Sequence, residues 1–405
     1  MRPPGQTAAR RSLEMVDHVG GSLMDPPLPA CLPRVSQLSQ VILNLMCCPS
    51  AVVCIVAFCL AVVAYAQQLP DTASSPTLRW NELPGVPDRE GFAGSYAGVS
   101  GGTLIVAGGA NFPDKRPWEG GTKVWYDHLF VLEPSSTAWR AAGRLPHAGG
   151  YGVSVNAPEG FVLIGGGDAT RNFNEVWLAR MERETVTFTA WPHLPKPLAM
   201  AAGALVGRTL YVAGGLDQPD ANAAQNAFFA LDLDQLASGW RELPTWPGPE
   251  RFLATASAYD GAFFLFSGAR LVPSESGKAS REWLRDAYSY TPATGWKRLA
   301  DLPRVSVAAP SPAPVIAGRI MIFGGDDGSQ VALTPTDHRG FPRDTLAYRV
   351  SDDTWSHGGE VPFSLVTTAL TVWRGQIVVP GGEARPGVRS TRVWAAEMNA
   401  VPAKK

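Results

Sequence analysis

Short apolar runs of four or five residues recur along the chain, and six of them end in a glycine doublet or its near relative. They are Leu104 to Gly109, Val162 to Gly167, Leu210 to Gly215, Phe264 to Gly268, Ile320 to Gly325 and Ile377 to Gly382. Runs this short, bounded by turn residues and rich in Val, Ile and aromatic side chains, predict buried β-strands rather than helices. The steps between the final glycines are 58, 48, 53, 57 and 57 residues, so the strands belong to a repeating unit.

A second signal shares the period. A tryptophan followed by an apolar-Pro pair occurs from Trp80 to Leu83-Pro84, Trp139 to Leu145-Pro146, Trp191 to Leu194-Pro195, Trp240 to Leu243-Pro244, Trp296 to Leu302-Pro303 and Trp355 to Val361-Pro362. An interval near 50 residues is that of kelch repeats. Each repeat reads as four strands that cannot bury their own apolar face and must stack on their neighbours. The sequence therefore predicts an all-β fold, a six-bladed kelch-type β-propeller. Because Trp80 precedes the first doublet and no such motif follows the last, the N-terminal strand is expected to close the last blade and so remove two sheet edges.

Composition narrows the classes. At 405 residues with 45% apolar content, the chain can hold one large core. A net charge of −1 gives no footprint for nucleic acid. Residues 51–63 carry no charged side chain and are followed by Ala64-Tyr65-Ala66, the layout of a secretory h-region and its cleavage site. We expect residues 1–66 to be an N-terminal extension and signal peptide, 67–76 a linker, 77–398 the propeller and 399–405 a tail. The true start could be Met1 or Met46, and an uncleaved anchor is the alternative to cleavage. Export to the periplasm or medium follows, with no stable membrane insertion after cleavage. All five cysteines lie before Ala66, so the mature domain has no thiol nucleophile, disulfide or thiolate ligand. The histidines show no zinc-ligand spacing, and no metal or cofactor is expected. No P-loop, nucleophile elbow or dinucleotide fingerprint occurs.

In a four-stranded blade, the loops after the second and fourth strands emerge on one face. Residues after each doublet and each Leu-Pro pair should then converge on one mouth of the central channel, the default place for a site. The doublet loops supply Asn111, Phe112, Asp168, Asp217, Arg270, Asp326, Glu383, Arg385 and Arg389; the other set supplies His147, Lys196, Arg251 and Arg304. Carboxylates mixed with guanidinium groups suit an anionic polyhydroxyl ligand and proton transfer.

One segment is more particular than a generic turn. Gly382-Glu383-Ala384-Arg385-Pro386-Gly387-Val388-Arg389 closely resembles a loop of the N-acetylneuraminate epimerases, the sialic acid mutarotases, which are exported six-bladed kelch propellers. Gly91 to Ser100 and Ala107 to Phe112 resemble the blade that follows this loop in the family; here it comes first, as in the cyclically permuted branch. The resemblance implies Glu383 as proton acceptor and Arg389 as its partner, acting on a small acidic sugar. Arg385, Arg251, Asn111, Phe112 and Arg270 are candidate substrate-binding residues. The long loop from Asn111 to Tyr126 departs from the family pattern. A non-catalytic kelch module binding a glycan or protein partner is the alternative, and the oligomeric state is open.

Overall fold

The computed structural model describes residues 78–273 and 279–398, almost entirely β-structure. The expected extension, signal peptide, linker and tail lie outside the described residues. Six four-stranded antiparallel sheets form the blades of a propeller. Blade 1 comprises Tyr96–Ser100, Thr103–Ala107, His128–Leu132 and Arg140–Arg144, and blades 2 to 5 repeat this order. Blade 6 joins Thr371–Trp373, Gln376–Arg385 and Val388–Glu397 to Trp80–Leu83, whose register runs from Trp80 opposite Ala396 to Leu83 opposite Val393. The first strand thus completes the last blade, as its tryptophan motif predicts.

The core sits between blades rather than within them. Blades 6 and 1, for example, close the ring through Trp373, Val378 and Val393 packed on Ala97, Leu104, Val106 and Leu132, all buried. Trp80 packs edge-on against Phe323 and Phe363 at the seam with blade 5, with ring centroids 5.4 and 5.1 Å apart. The tryptophan repeat has a polar role as well. Trp139, Trp240, Trp296 and Trp355 each donate their indole N–H to a backbone carbonyl at the outer edge of the preceding blade: Pro84, Pro192, Pro244 and Ala300. A partly buried indole keeps its N–H paired in this way, and the outer strand's end supplies the acceptor.

Around the channel runs a closed circle of backbone hydrogen bonds. Gly94, Tyr151, Met200, Leu253, Ala308 and Thr367 each donate their N–H to the previous member's carbonyl at 2.6–2.8 Å, with Gly94 donating to Thr367. All six have left-handed backbone, with φ between 49° and 69°, although only one is glycine. That conformation costs roughly 1–2 kcal/mol per non-glycine residue, and the closed ring holds it. The residue before each ring member pairs with the residue after each doublet: Ala93 with Ala110, Gly150 with Gly167, Ala199 with Leu216, Phe252 with Ala269, Val307 with Asp326 and Val366 with Glu383. In blade 2 the left-handed doublet is therefore Gly165-Gly166, one residue earlier than the apolar run alone suggests.

Candidate active site

Glu383 and Asp326 are the two carboxylates among the six residues that follow a doublet. Glu383 reaches this place because Gly381 and Gly382 turn the strand with φ of 67° and 114°. A Cβ on Gly382 would stand 2.9 Å from the Val366 carbonyl, so the turn requires glycine. The strand then continues as a hairpin in which Glu383 and Arg389 are cross-strand partners. Their six-residue spacing is thus a register, not a coincidence of loop length.

Arg389 Nη1 donates to Glu383 Oε1 at 2.6 Å, and the Gly387 N–H donates to the same oxygen at 2.8 Å. Arg389 Nε is fixed by the Ala110 carbonyl at 3.2 Å, and its guanidinium lies over the Phe112 ring at 5.2 Å. Oε2 has only the Thr367 hydroxyl at 3.5 Å, the outer limit of a hydrogen bond. One carboxylate oxygen is therefore saturated, and the other keeps lone pairs for a ligand.

Insertions after the doublets surround this carboxylate. In blade 1, Ala110–Asn111 pairs with Val124–Trp125, and the short helix Pro117–Glu119 between them leans on Gly387. This hairpin brings Lys123, whose ammonium lies 4.6 Å from the Trp125 ring centroid and 4.2 Å from that of Tyr151. Burial, and then the Arg389 charge, lower the Lys123 ammonium to about 8 against an opposing pull from Glu383. Burial pushes the Tyr151 phenol up, with Arg389 opposing and the Glu383 charge reinforcing. In blade 4, Ala269–Val272 pairs with Ser280–Trp283 and carries Arg281. Its guanidinium lies 5.2 Å from the Phe252 ring centroid; it reaches solvent, yet surrounding protein lowers its pKa against the charges of Asp326 and Glu383. Blade 5 supplies His338, held below its ordinary value by burial while Asp326 pulls the other way and Arg385 reinforces the shift. Among the described residues, Lys123, Arg281 and Arg385 form no ion pair, whereas Arg270 pairs with Glu282 and Arg304 with Asp344.

The sequence-derived candidates divide accordingly. Glu383, Arg389, Phe112 and Arg385 lie together. Arg251 does not join them: it is fully buried, bonded to Asp286 Oδ2 at 2.6 Å and to the Ser267 carbonyl at 2.8 Å, with Trp246 and Tyr288 beside it. It cannot clamp a ligand because it is spent holding blade 4. Asn111 is also buried, donating to the Gly91 carbonyl and Asp88 and accepting from the Tyr126 hydroxyl, so it shapes the hairpin instead of facing the mouth. Arg270 is committed to Glu282 through two hydrogen bonds. Lys123, Tyr151, Arg281 and Thr367 also border the site although none belongs to a glycine-doublet or Trp motif. Tyr151 and Thr367 had a usable signal, since both lie five residues past the proline of a Trp motif, as do Met200 and Ala308.

A model of the family described as N-acetylneuraminate epimerase matches residues 67–188 and 191–332, and the chain belongs to that family. The match ends before the hairpin that carries Glu383. The N-acetylneuraminate epimerase of Haemophilus influenzae (strain PittEE) is 28% identical over 246 residues, covering 53% of this chain and 62% of that relative. The protein of the same description from Yersinia enterocolitica is 29% identical over 231 residues, covering 50% and 56%. The chain thus spans less than two thirds of these relatives' length. A solved structure titled "Structure of YjhT" superposes with a TM-score of 0.57 at 15% identity, covering 77% of this chain and 96% of that one, a likeness of fold.

Proposed function

We propose that this chain is an exported, cofactor-independent mutarotase that interconverts the α and β anomers of N-acetylneuraminic acid. The observation that carries the reading is the half-saturated Glu383 carboxylate at the mouth of the channel, flanked by cations that have no carboxylate partner. Opening a cyclic hemiketal requires removal of the anomeric hydroxyl proton and protonation of the ring oxygen. Glu383 Oε2 accepts that proton while Arg389 and Gly387 fix the carboxylate through Oε1. Arg281 and Arg385, which have no internal carboxylate partner, suit the substrate's carboxylate, which a guanidinium binds in a bidentate manner. Rotation of the open ketone and reclosure, with the proton returned, complete the reaction. The family description and its relatives' names support the substrate class. Export rests on the apolar segment before Ala66, and no helix among the described residues is long and apolar enough to cross a membrane.

The test is proton NMR of freshly dissolved α-anomer: purified protein should hasten its approach to the α/β equilibrium. A non-catalytic binding module has one observation in its favour, the exposure of Val331 (69%) and Leu333 (45%) in the mouth-side loop of blade 5. Ligand binding with unchanged anomer kinetics would select it.

A further inference from the structure

Ring opening needs a donor as well as an acceptor, and the hairpin of blade 1 brings one to the mouth. We propose that Lys123 is the general acid, giving its proton to the ring oxygen as Glu383 takes the proton of the anomeric hydroxyl. This rests on the mutarotase reading. It is drawn from the placement of the side chain: Lys123 is carried by the insertion that also supplies the Ala110 carbonyl and the Phe112 ring to Arg389. Its ammonium stands between the Trp125 and Tyr151 rings. It opens onto a depression of about 260 Å³ lined also by Gly167, Asp168, Asn172 and Met200.

The charged and titratable groups around Lys123 are Glu383 and Arg389 from blade 6, Tyr151 from the channel ring and Asp168 from blade 2. None forms an ion pair with it. Two aromatic faces attract the ammonium but take no proton and give no hydrogen bond, so its N–H groups stay available to a ligand oxygen. Tyr151 is the poorer donor, because burial and the Glu383 charge tighten its hold on the phenolic proton. Burial disfavours the charged form of His338, which leaves little imidazolium to donate. Lys123, lowered to about 8, is charged at neutral pH and gives up its proton more readily than an ordinary lysine.

The proton balance closes. As the bond between the anomeric carbon and the ring oxygen breaks, its electron pair goes to the ring oxygen, which takes the Lys123 proton. The anomeric oxygen becomes the ketone as its proton passes to Glu383. After rotation, the freed hydroxyl oxygen attacks the other face of the ketone carbon and loses its proton to the neutral Lys123 amine, while the carbonyl π pair moves to the carbonyl oxygen, which takes back the Glu383 proton. The enzyme ends in its starting state on either anomer.

The experiment measures kcat and KM for anomerisation by wild type, Lys123→Met and Lys123→Arg from pH 6 to 10, with melting temperatures as the folding control. Lys123→Met is expected to lose about 100-fold or more in kcat, the usual contribution of a general acid, with KM within about threefold of wild type. Lys123→Arg keeps the positive charge but holds its proton too tightly to donate, so it should be equally slow. Wild-type kcat should fall as pH rises through about 8. If Lys123→Arg restores turnover, or Lys123→Met changes only KM, Lys123 is a binding cation and the proposal is overturned. No acceleration by wild type overturns the mutarotase reading and the proposal together, whereas active variants overturn the proposal alone.

Discussion

Arg389 is more deeply covered than the Glu383 it holds: their side chains are 4% and 19% exposed. The cation is the buried framework and the carboxylate is the group presented to solvent. In Glu383→Gln the amide oxygen can still accept from Arg389 and Gly387, but without a negative charge. We expect anomerisation to fall by about 10²–10⁴, the range for a lost general base. We also expect a melting temperature a few degrees lower, because a charge-assisted bond worth about 1.5–3 kcal/mol is weakened to a neutral one. NMR kinetics beside calorimetric melting check both.

Gly387 joins conformation to chemistry. Its φ of 77° is left-handed, its N–H donates to Glu383 Oε1, and a Cβ would lie 2.6 Å from Pro117 Cγ. Gly387→Ala should lower stability by roughly 1–2 kcal/mol for the left-handed backbone alone. Displacement of Pro117 should add to this. Activity should drop in the folded fraction as well, since the turn that positions Oε1 must shift. Full activity in a destabilised variant would show that the native turn geometry at Gly387 is not needed to position Glu383.

Arg251 gives the contrasting case. Arg251→Ala would leave Asp286 buried beside the Tyr288 hydroxyl without its cation, a change that typically costs about 3–5 kcal/mol. Activity per folded molecule should be unchanged, because Arg251 does not reach the mouth. The pH dependence carries a sign. Burial raises the Asp286 carboxyl, but hydrogen bonding to Arg251, its charge and the Tyr288 hydroxyl outweigh this and hold it below 3.8. The folded value being depressed, the pair's stabilisation is present above about 3.8 and is lost as pH falls through the folded value. Melting curves should therefore show the gap between wild type and Arg251→Ala narrowing below that pH.

Ring closure depends on Trp80, which packs between Phe323 and Phe363 from the strand that completes blade 6. Trp80 is partly buried against the core, so Trp80→Ala should cost at most about 3–5 kcal/mol, the usual loss for a fully buried aromatic residue. A shift of that size in urea unfolding would show that the N-terminal strand helps to hold the propeller together.

The architecture was legible because glycine doublets and tryptophans mark strand ends and seams that every blade must repeat. Glu383 and Arg389 were legible because their spacing is a hairpin register that a short motif retains. Arg251 and Asn111 misled because a polar residue in the right loop can face either a seam or the mouth, and only packing decides which. Lys123 and Arg281 were hidden for the reverse reason. Arg281 sits on the returning strand of an inserted hairpin and Lys123 immediately before such a strand, both more than ten residues past their doublets, where pairing rather than sequence distance returns them to the channel. Tyr151 lies on the closed hydrogen-bond ring, where its spacing from the Leu-Pro pair and not its residue type marks the left-handed backbone.

The most direct measurement is the rate at which a freshly dissolved single anomer of N-acetylneuraminic acid reaches equilibrium, with wild type and with Glu383→Gln at equal folded concentration. The account predicts rapid equilibration by wild type and a rate close to the uncatalysed one for the variant. Equal rates for the two proteins would contradict it.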